Sequence, residues 1–242
     1  MRSHPAASPP AIDYPASDGK PVESEVHRDE MLALIDMLRW HFRDDDHVQV
    51  SGNNGLYFEE GVPSSVVSPD VYVVRGVPKR TRRVFKLWEE AAGPCFVVEM
   101  SSRSTWIEDH GNKKAIYARL GVAEYFLFDP EGVALDPPLQ GYRLSEDGEY
   151  RRLQPGPGGV FEVKSLGLTM WFDEGRRMHV GDPTTGAEIP RSHEVRREHA
   201  ALLAERDAVA AERDAMAAER DAMAAERDAM AARIAELEKK LP

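Results

Sequence analysis

The spacing of apolar and polar residues divides the chain into stretches with different periods. Over residues 24–43, SEVHRDEMLALIDMLRWHFR, Met31, Leu34, Ile35, Leu38 and Phe42 recur at i, i+3, i+4, i+7 and i+11. That repeat is one face of an amphipathic helix. Ser24 is placed to cap it, acidic residues fill its first turns, and the DDD run at 44–46 ends it. Short strand-like runs follow. HVQVS (47–51) alternates, GLYFEE (55–60) lies between NNG and GVP turns, and DVYVV (70–74) starts directly after Ser68-Pro69. CFVVEM (95–100) and EYFLFD (124–129) are nearly continuous apolar runs, as expected of strands covered on both faces. Between them the pattern predicts a helix, opened by a T-x-x-E capping box at Thr105 and Glu108 and closed by Gly121. A helix joining two buried strands is a crossover, so these strands should be parallel neighbours.

Residues 133–173 predict a meander of short strands, among them GYRL, EYRRL and VFEV, separated by Asp-Gly and Pro-Gly turns. The segment RRMHVGDPTTGAEIP (176–190) reads as a linker. From 191 onward the period becomes seven: AERDAMA repeats, with Val209, Met216, Met223, Met230 and Leu237 in register. Ala208, Ala211, Ala215, Ala218, Ala222 and Ala225 form a second stripe at spacings of three and four. The methionine register brings Arg206, Arg213, Arg220 and Arg227 to the partner core position, so neither stripe is a strong seam. Three readings stay open: a solvated single helix favoured by alanine, a homo-oligomeric coiled coil through residues 195–241, and a helix for a different partner. The expected organisation is a disordered segment rich in Pro, Ala and Ser (1–22), an α/β domain (23–175), a linker (176–190) and a long helix (191–242).

Composition narrows the functional classes. The formal net charge is −11 in 242 residues, the wrong sign for binding nucleic acid across the whole surface. A local groove remains open, and VPKRTRRVFK (77–86), with Phe85 and Trp88 close by, offers Lys79, Arg80, Arg82 and Arg83 as phosphate contacts. A solvated connection is the alternative for that loop. No apolar run is long enough to span a bilayer, and the N-terminus lacks the apolar core of a signal peptide. The sole cysteine, Cys95, excludes an intrachain disulfide and a cysteine zinc site, and reads as a buried core thiol. A cytoplasmic location without membrane contact is the corresponding expectation.

The chemistry lies in carboxylates placed inside apolar strands. Glu99 is embedded in FVVEM, where an unpaired charge is costly and needs a cation, a metal or strong hydrogen bonds. Asp70 opens another strand after a proline. Two carboxylates at neighbouring strand ends suit one hard divalent cation such as Mg²⁺; an ion pair for Glu99 and a turn role for Asp70 are the alternative. On the following helix Asp109, Lys113 and Tyr117 share one face at i, i+4 and i+8. Helical side chains lean toward the N-terminus, so Lys113 can reach back to Glu99; an ordinary surface ion pair with Asp109 is the competing reading.

The ordered string SPDVYVVRGVPKR, KLWEE, FVVEMSSRST, EDHGNKKAIYARLGVAEYFLFDP and LDPPLQGYRL closely resembles the Uma-two family of restriction endonucleases, placed in the PD-(D/E)XK nuclease superfamily, over roughly residues 24–155. The resemblance implies an α/β restriction-endonuclease-like core, a central mixed sheet flanked by helices, and Mg²⁺-dependent hydrolysis of DNA phosphodiesters, with Mn²⁺ as a substitute. It places Asp70 and Glu99 at the two acidic metal-binding positions. The lysine expected two residues after Glu99 is Ser101, and Lys113, in a Lys-x-x-x-Tyr context with Tyr117, takes its role. Glu25 or Glu30 on the first helix would supply an accessory acid. The fold also hosts proteins that bind without cutting, so a regulatory or nucleic-acid-binding module is the alternative, and an assembly protein acting through its heptad helix is a third.

Overall fold

A computed structural model describes residues 24–238; the expectation for residues 1–22 lies outside them. Two compact units divide between Arg191 and Ser192. The first begins with helix α1 (Glu25–His41), whose predicted cap is present: the Ser24 side chain accepts from the His27 backbone N–H. Its strands are β1 (Val48–Ser51), β2 (Leu56–Tyr57), β3 (Val66–Val67), β4 (Val71–Arg75), β5 (Phe85–Lys86), β6 (Pro94–Met100), β7 (Glu124–Phe128), β8 (Leu139–Leu144), β9 (Tyr150–Arg152), β10 (Phe161–Val163), β11 (Leu168–Phe172), β12 (Met178–Asp182) and β13 (Ala187–Glu188).

Six of these strands form a central sheet in the order β1-β4-β6-β7-β8-β9. β6 and β7 pair in parallel, with Glu99 opposite Leu127, and the other neighbours are antiparallel, so the sheet is mixed. The predicted crossover between residues 95–100 and 124–129 is therefore present. Alternation along the strands builds two cores. Val71, Val73, Phe96, Val98, Met100, Phe126 and Phe128 face α1 residues Leu34, Ile35 and Leu38 and the β10-β11-β12-β13 sheet. Tyr72, Val74, Val97, Tyr125 and Leu127 face the other way, toward Tyr117 of the crossover helix. A small third sheet, β3-β2-β5, borders that second core. Cys95 is only partly buried against the first core.

Residues 176–190 are not a linker. They carry β12 and β13, and β12 pairs with β11 through four residue pairs. The Met-His-Val-Gly-Asp run does alternate, with Met178 and Val180 buried, but Gly181, Pro183 and Gly186 hide that signal among turn residues. The domain accordingly runs past 175 to Arg191. There, Arg191 Nη2 donates to Glu30 Oε1 at 2.7 Å, and Arg191 Nη1 donates to Glu30 Oε2 at 3.1 Å and to the Met178 carbonyl at 2.9 Å. Glu30 also accepts from the Met178 backbone N–H. This buried, multiply bonded pair ties α1 to β12 and fixes the end of the domain.

The second unit is helix α4 (Ser192–Glu238). Its heptad residues Val209, Met216, Met223 and Met230 are exposed, and Arg206, Arg213, Arg220 and Arg227 each bond the aspartate that follows. No helix among the described residues is long and apolar enough to cross a membrane.

Removing one partner of a buried ion pair leaves an uncompensated charge, which costs about 3–5 kcal/mol. Arg191→Ala should therefore lower the stability of the domain by about that amount in urea unfolding. Adding Glu30→Ala to that variant should recover part of the loss, because the orphaned carboxylate is then gone.

Candidate active site

Beyond the paired residues Val71 and Val98, the antiparallel register of β4 and β6 brings Asp70 level with Glu99. Asp70 Oδ2 accepts the Met100 backbone N–H at 2.7 Å, which fixes its carboxylate on the end of β6. His27 Nε2, from the first turn of α1, lies 3.5 Å from the same oxygen. Gly52 holds the other side: a Cβ there would stand 2.0 Å from the Asp70 carbonyl oxygen and 2.9 Å from Ile35 Cδ1. The Asn53 N–H donates to the Pro69 carbonyl and completes the support.

Glu99 is fully buried. Lys113 Nζ donates to its Oε2 at 2.8 Å and the Tyr117 hydroxyl donates to its Oε1 at 2.5 Å. Lys113 Nζ is also 3.0 Å from Asp109 Oδ1, and Ser101 Oγ donates to Asp109 Oδ2 at 3.0 Å. The Asp109–Lys113 pair is thus a buried bridge aimed at Glu99, not a surface pair. Ser101, two residues after Glu99, orients Asp109.

The helix carrying these residues departs from its predicted form. It comprises α2 (Trp106–Glu108), a π turn (Asp109–Lys113) and α3 (Lys114–Arg119). The predicted capping box is absent. Thr105 already has helical backbone angles, because the first turn starts earlier, with the Trp106 N–H bonded to the Ser102 carbonyl. Thr105 Oγ1 accepts from the Ser102 N–H instead. The π turn accommodates one more residue per hydrogen-bonded turn, an arrangement frequent at functional sites. Here Asp109, Lys113 and Tyr117 all face inward.

One ammonium faces three carboxylates in this cluster, so negative charge is in excess. Burial pushes the Glu99 carboxyl well above the usual carboxylate range; Lys113 pulls it back, and Asp70 and Asp109 push it further up. Asp109 is raised for the same reason, burial, with Lys113 again opposing. Burial works against the Lys113 charge, but Glu99, Asp109 and Asp70 together outweigh it and raise its pKa, so it stays an ammonium.

A divalent cation fits that excess charge. Asp70 Oδ1 has no hydrogen-bond partner among the described residues, and each Glu99 oxygen retains a lone pair beyond the bond it accepts. Among the described residues no group of three or more His, Cys, Asp or Glu side chains is disposed to hold a metal. An ion held by Asp70 and Glu99 would complete its shell with water, as Mg²⁺ commonly does.

The other expected residues are elsewhere. Glu30 is committed to Arg191 and Met178, and Glu25 is exposed. His27 occupies the place on α1 sought for an accessory acid; its sequence signal was only its position one turn before Glu30. In the basic loop, Arg82 is nearly buried and donates to Glu90 and Gln49, and Arg80 pairs with Glu90. Lys79 donates to the Phe42 and Arg43 carbonyls at the end of α1. Three of the four expected phosphate contacts therefore have structural partners, while Arg83 is exposed.

A family model described as Uma2, "Putative restriction endonuclease", matches residues 4–173. An uncharacterised protein of Synechocystis sp. is 29% identical over 123 residues, half of this chain and 60% of that protein's length. The crystal structure of "a putative nuclease belonging to DUF820" from Anabaena variabilis aligns with a TM-score of 0.46 at 15% identity, covering 61% of this chain and 76% of that one.

Two substitutions probe the geometry. Tyr117→Phe leaves a buried Glu99 oxygen without its donor and should cost about 1–3 kcal/mol in urea unfolding. Gly52→Ala forces a Cβ into backbone that cannot yield as a side chain would; it should cost about 1–3 kcal/mol and displace the Asp70 backbone, seen as amide shifts at Asp70 and Met100 by NMR.

Proposed function

This chain belongs to the Uma2 family, and on that premise we propose that it is a divalent-metal-dependent nuclease hydrolysing DNA phosphodiesters at Asp70, Glu99 and Lys113. The observation that carries this reading is the fully buried Glu99, level with Asp70 and held by Lys113 and Tyr117. Asp70 and Glu99 would hold the ion, Mg²⁺ with Mn²⁺ as a substitute. It supplies Lewis-acid polarisation of the phosphodiester and a more acidic water.

The residues of the chain divide the remaining work. The Met100 N–H and the Gly52 contact fix Asp70. Tyr117 fixes Glu99 through Oε1, leaving its free lone pairs directed by the bond. Glu99, Asp109 and Asp70 favour the ammonium form of Lys113, which donates to Glu99 Oε2. That ammonium orients water and offsets negative charge developing on the phosphoryl oxygens. Asp109, itself held by Ser101, sets the direction of the Lys113 side chain. A second reading, a module that binds without cutting, draws on the same network, since both Glu99 oxygens already have donors.

Cleavage of plasmid and single-stranded DNA with Mg²⁺ or Mn²⁺ separates the two. The native chain should cut, and Glu99→Ala should not. Asp70→Asn, which keeps an acceptor for the Met100 N–H, should also be inactive while remaining folded by circular dichroism. Lys113→Met should lose about 10²- to 10³-fold in rate, the usual effect of removing one charge-stabilising donor. Cleavage that persists in Glu99→Ala refutes the site, and a native chain that binds DNA without cutting favours the second reading.

A further inference from the structure

Lys79, Arg80 and Arg82 each bond to groups of the domain itself, and the outer flank of the crossover helix offers a second set of candidate phosphate contacts. Trp106 is 41% exposed at the start of that helix, next to Ile107, which is 68% exposed. One turn on, His110 Nε2 is 3.3 Å from the Tyr142 hydroxyl, which itself donates to Gln140 Oε1. One turn further, Lys114 Nζ lies 3.5 Å from the centroid of the same Tyr142 ring. Arg152 is the cross-strand neighbour of Tyr142 on β9. Neither Lys114 nor Arg152 has an ion-pair partner among the described residues. Burial, and after it the Arg152 charge, hold the Lys114 ammonium below its ordinary value, with Glu149 opposing. An anion arriving between Lys114 and Arg152 would relieve that repulsion.

The surface beside them is open. A cavity of about 200 Å³ is lined by Gly111, Lys114, Ala115, Ala118, Glu149 and Tyr150. Three of those six are small residues on the helix, and the space they leave lies beside Lys114. An exposed aromatic face followed by unpaired cations is the combination that binds single-stranded nucleic acid, with a base stacked on the ring and phosphates on the charges.

We propose that Trp106, Lys114 and Arg152 form a path for an unpaired nucleic-acid strand along the helix that carries Asp109 and Lys113, Trp106 stacking a base and the two cations binding phosphates. This rests on the nuclease reading and narrows it to substrates with a single-stranded segment. Tyr142 and His110 are positioning residues, which hold Lys114 over the ring.

The test uses the full chain in EDTA, so that nothing is cut, with a short fluorescein-labelled DNA strand and its duplex followed by anisotropy over a salt series. The native chain should bind the single strand more tightly than the duplex. Trp106→Ala should weaken single-strand binding about tenfold, the usual effect of losing one stacked base. Lys114→Gln and Arg152→Gln should each reduce the slope of log affinity against log salt by about 0.7, one phosphate contact on a single strand. Arg83→Gln, outside the path, should leave the slope unchanged. Native binding that all three path variants retain overturns the path while leaving the cleavage result to judge the nuclease reading. Absence of single-strand binding by the native chain also overturns it, and the plasmid assay again stands separately. If Trp106→Ala instead changes the mass by light scattering, the exposed indole belongs to a protein interface and the proposal falls.

Discussion

A carboxylate without solvent is the constraint around which this domain is organised. Glu99 sits inside a strand covered on both faces, where an isolated negative charge would be expelled or neutralised. It is retained because a lysine and a tyrosine, both from the next helix, reach its two oxygens. That requirement fixes much else. The parallel pairing of β6 and β7 demands a crossover, and the crossover helix is the element that delivers Lys113 and Tyr117 to Glu99. Asp109 and Asp70 then add negative charge beyond what Lys113 balances, so the cluster as built has a deficit of positive charge that a divalent ion fits.

The rest of the domain holds this cluster still. The buried carboxylates of Asp129, Glu124 and Glu30 are hydrogen-bonded, as interiors require. Asp129 accepts four backbone N–H bonds, from Glu131, Gly132, Ala134 and Leu135, and so shapes the loop after β7. Glu124, at the other end of that strand, takes Arg143 and Ser165. The Glu30–Arg191 pair clasps α1 to the second sheet. Such pairs add little net stability over apolar packing, but each is costly to break, so they specify which surfaces meet.

Strong periodicity made the main elements legible in the sequence. Helix α1 with its Ser24 cap, the two continuous strands and their crossover follow from apolar spacing alone. Asp70 and Glu99 stood out because carboxylates are rare in such strands, and Lys113 and Tyr117 because their spacing put them on one face. What spacing does not encode is which partner a side chain takes across the fold. Glu30 looked as suitable as any acid on α1, yet Arg191, 161 residues away, claims it. Arg82 and Lys79 looked like free cations, but Glu90 and the end of α1 claim them. The strands at 176–190 were hidden by the glycines and proline that make their turns, and the π turn by the ordinary helical composition around it.

That π turn gives the molecule a particular kind of sensitivity. A five-residue turn inside an α-helix amounts to one inserted residue, and an α-helix advances about 100° per residue. The wide turn absorbs that residue, so Asp109, Lys113 and Tyr117 all still face inward. Straightening the turn into regular α-helix with the same residues would instead rotate everything after it by about 100°, carrying Tyr117 away from Glu99 and out of the second core. Taking one residue out as well would restore the phase, because residues at i, i+3 and i+7 share a face of an unbroken α-helix. The site thus depends on the turn and the residue count together, and a relative one residue shorter here can present the same lysine and tyrosine from an uninterrupted helix.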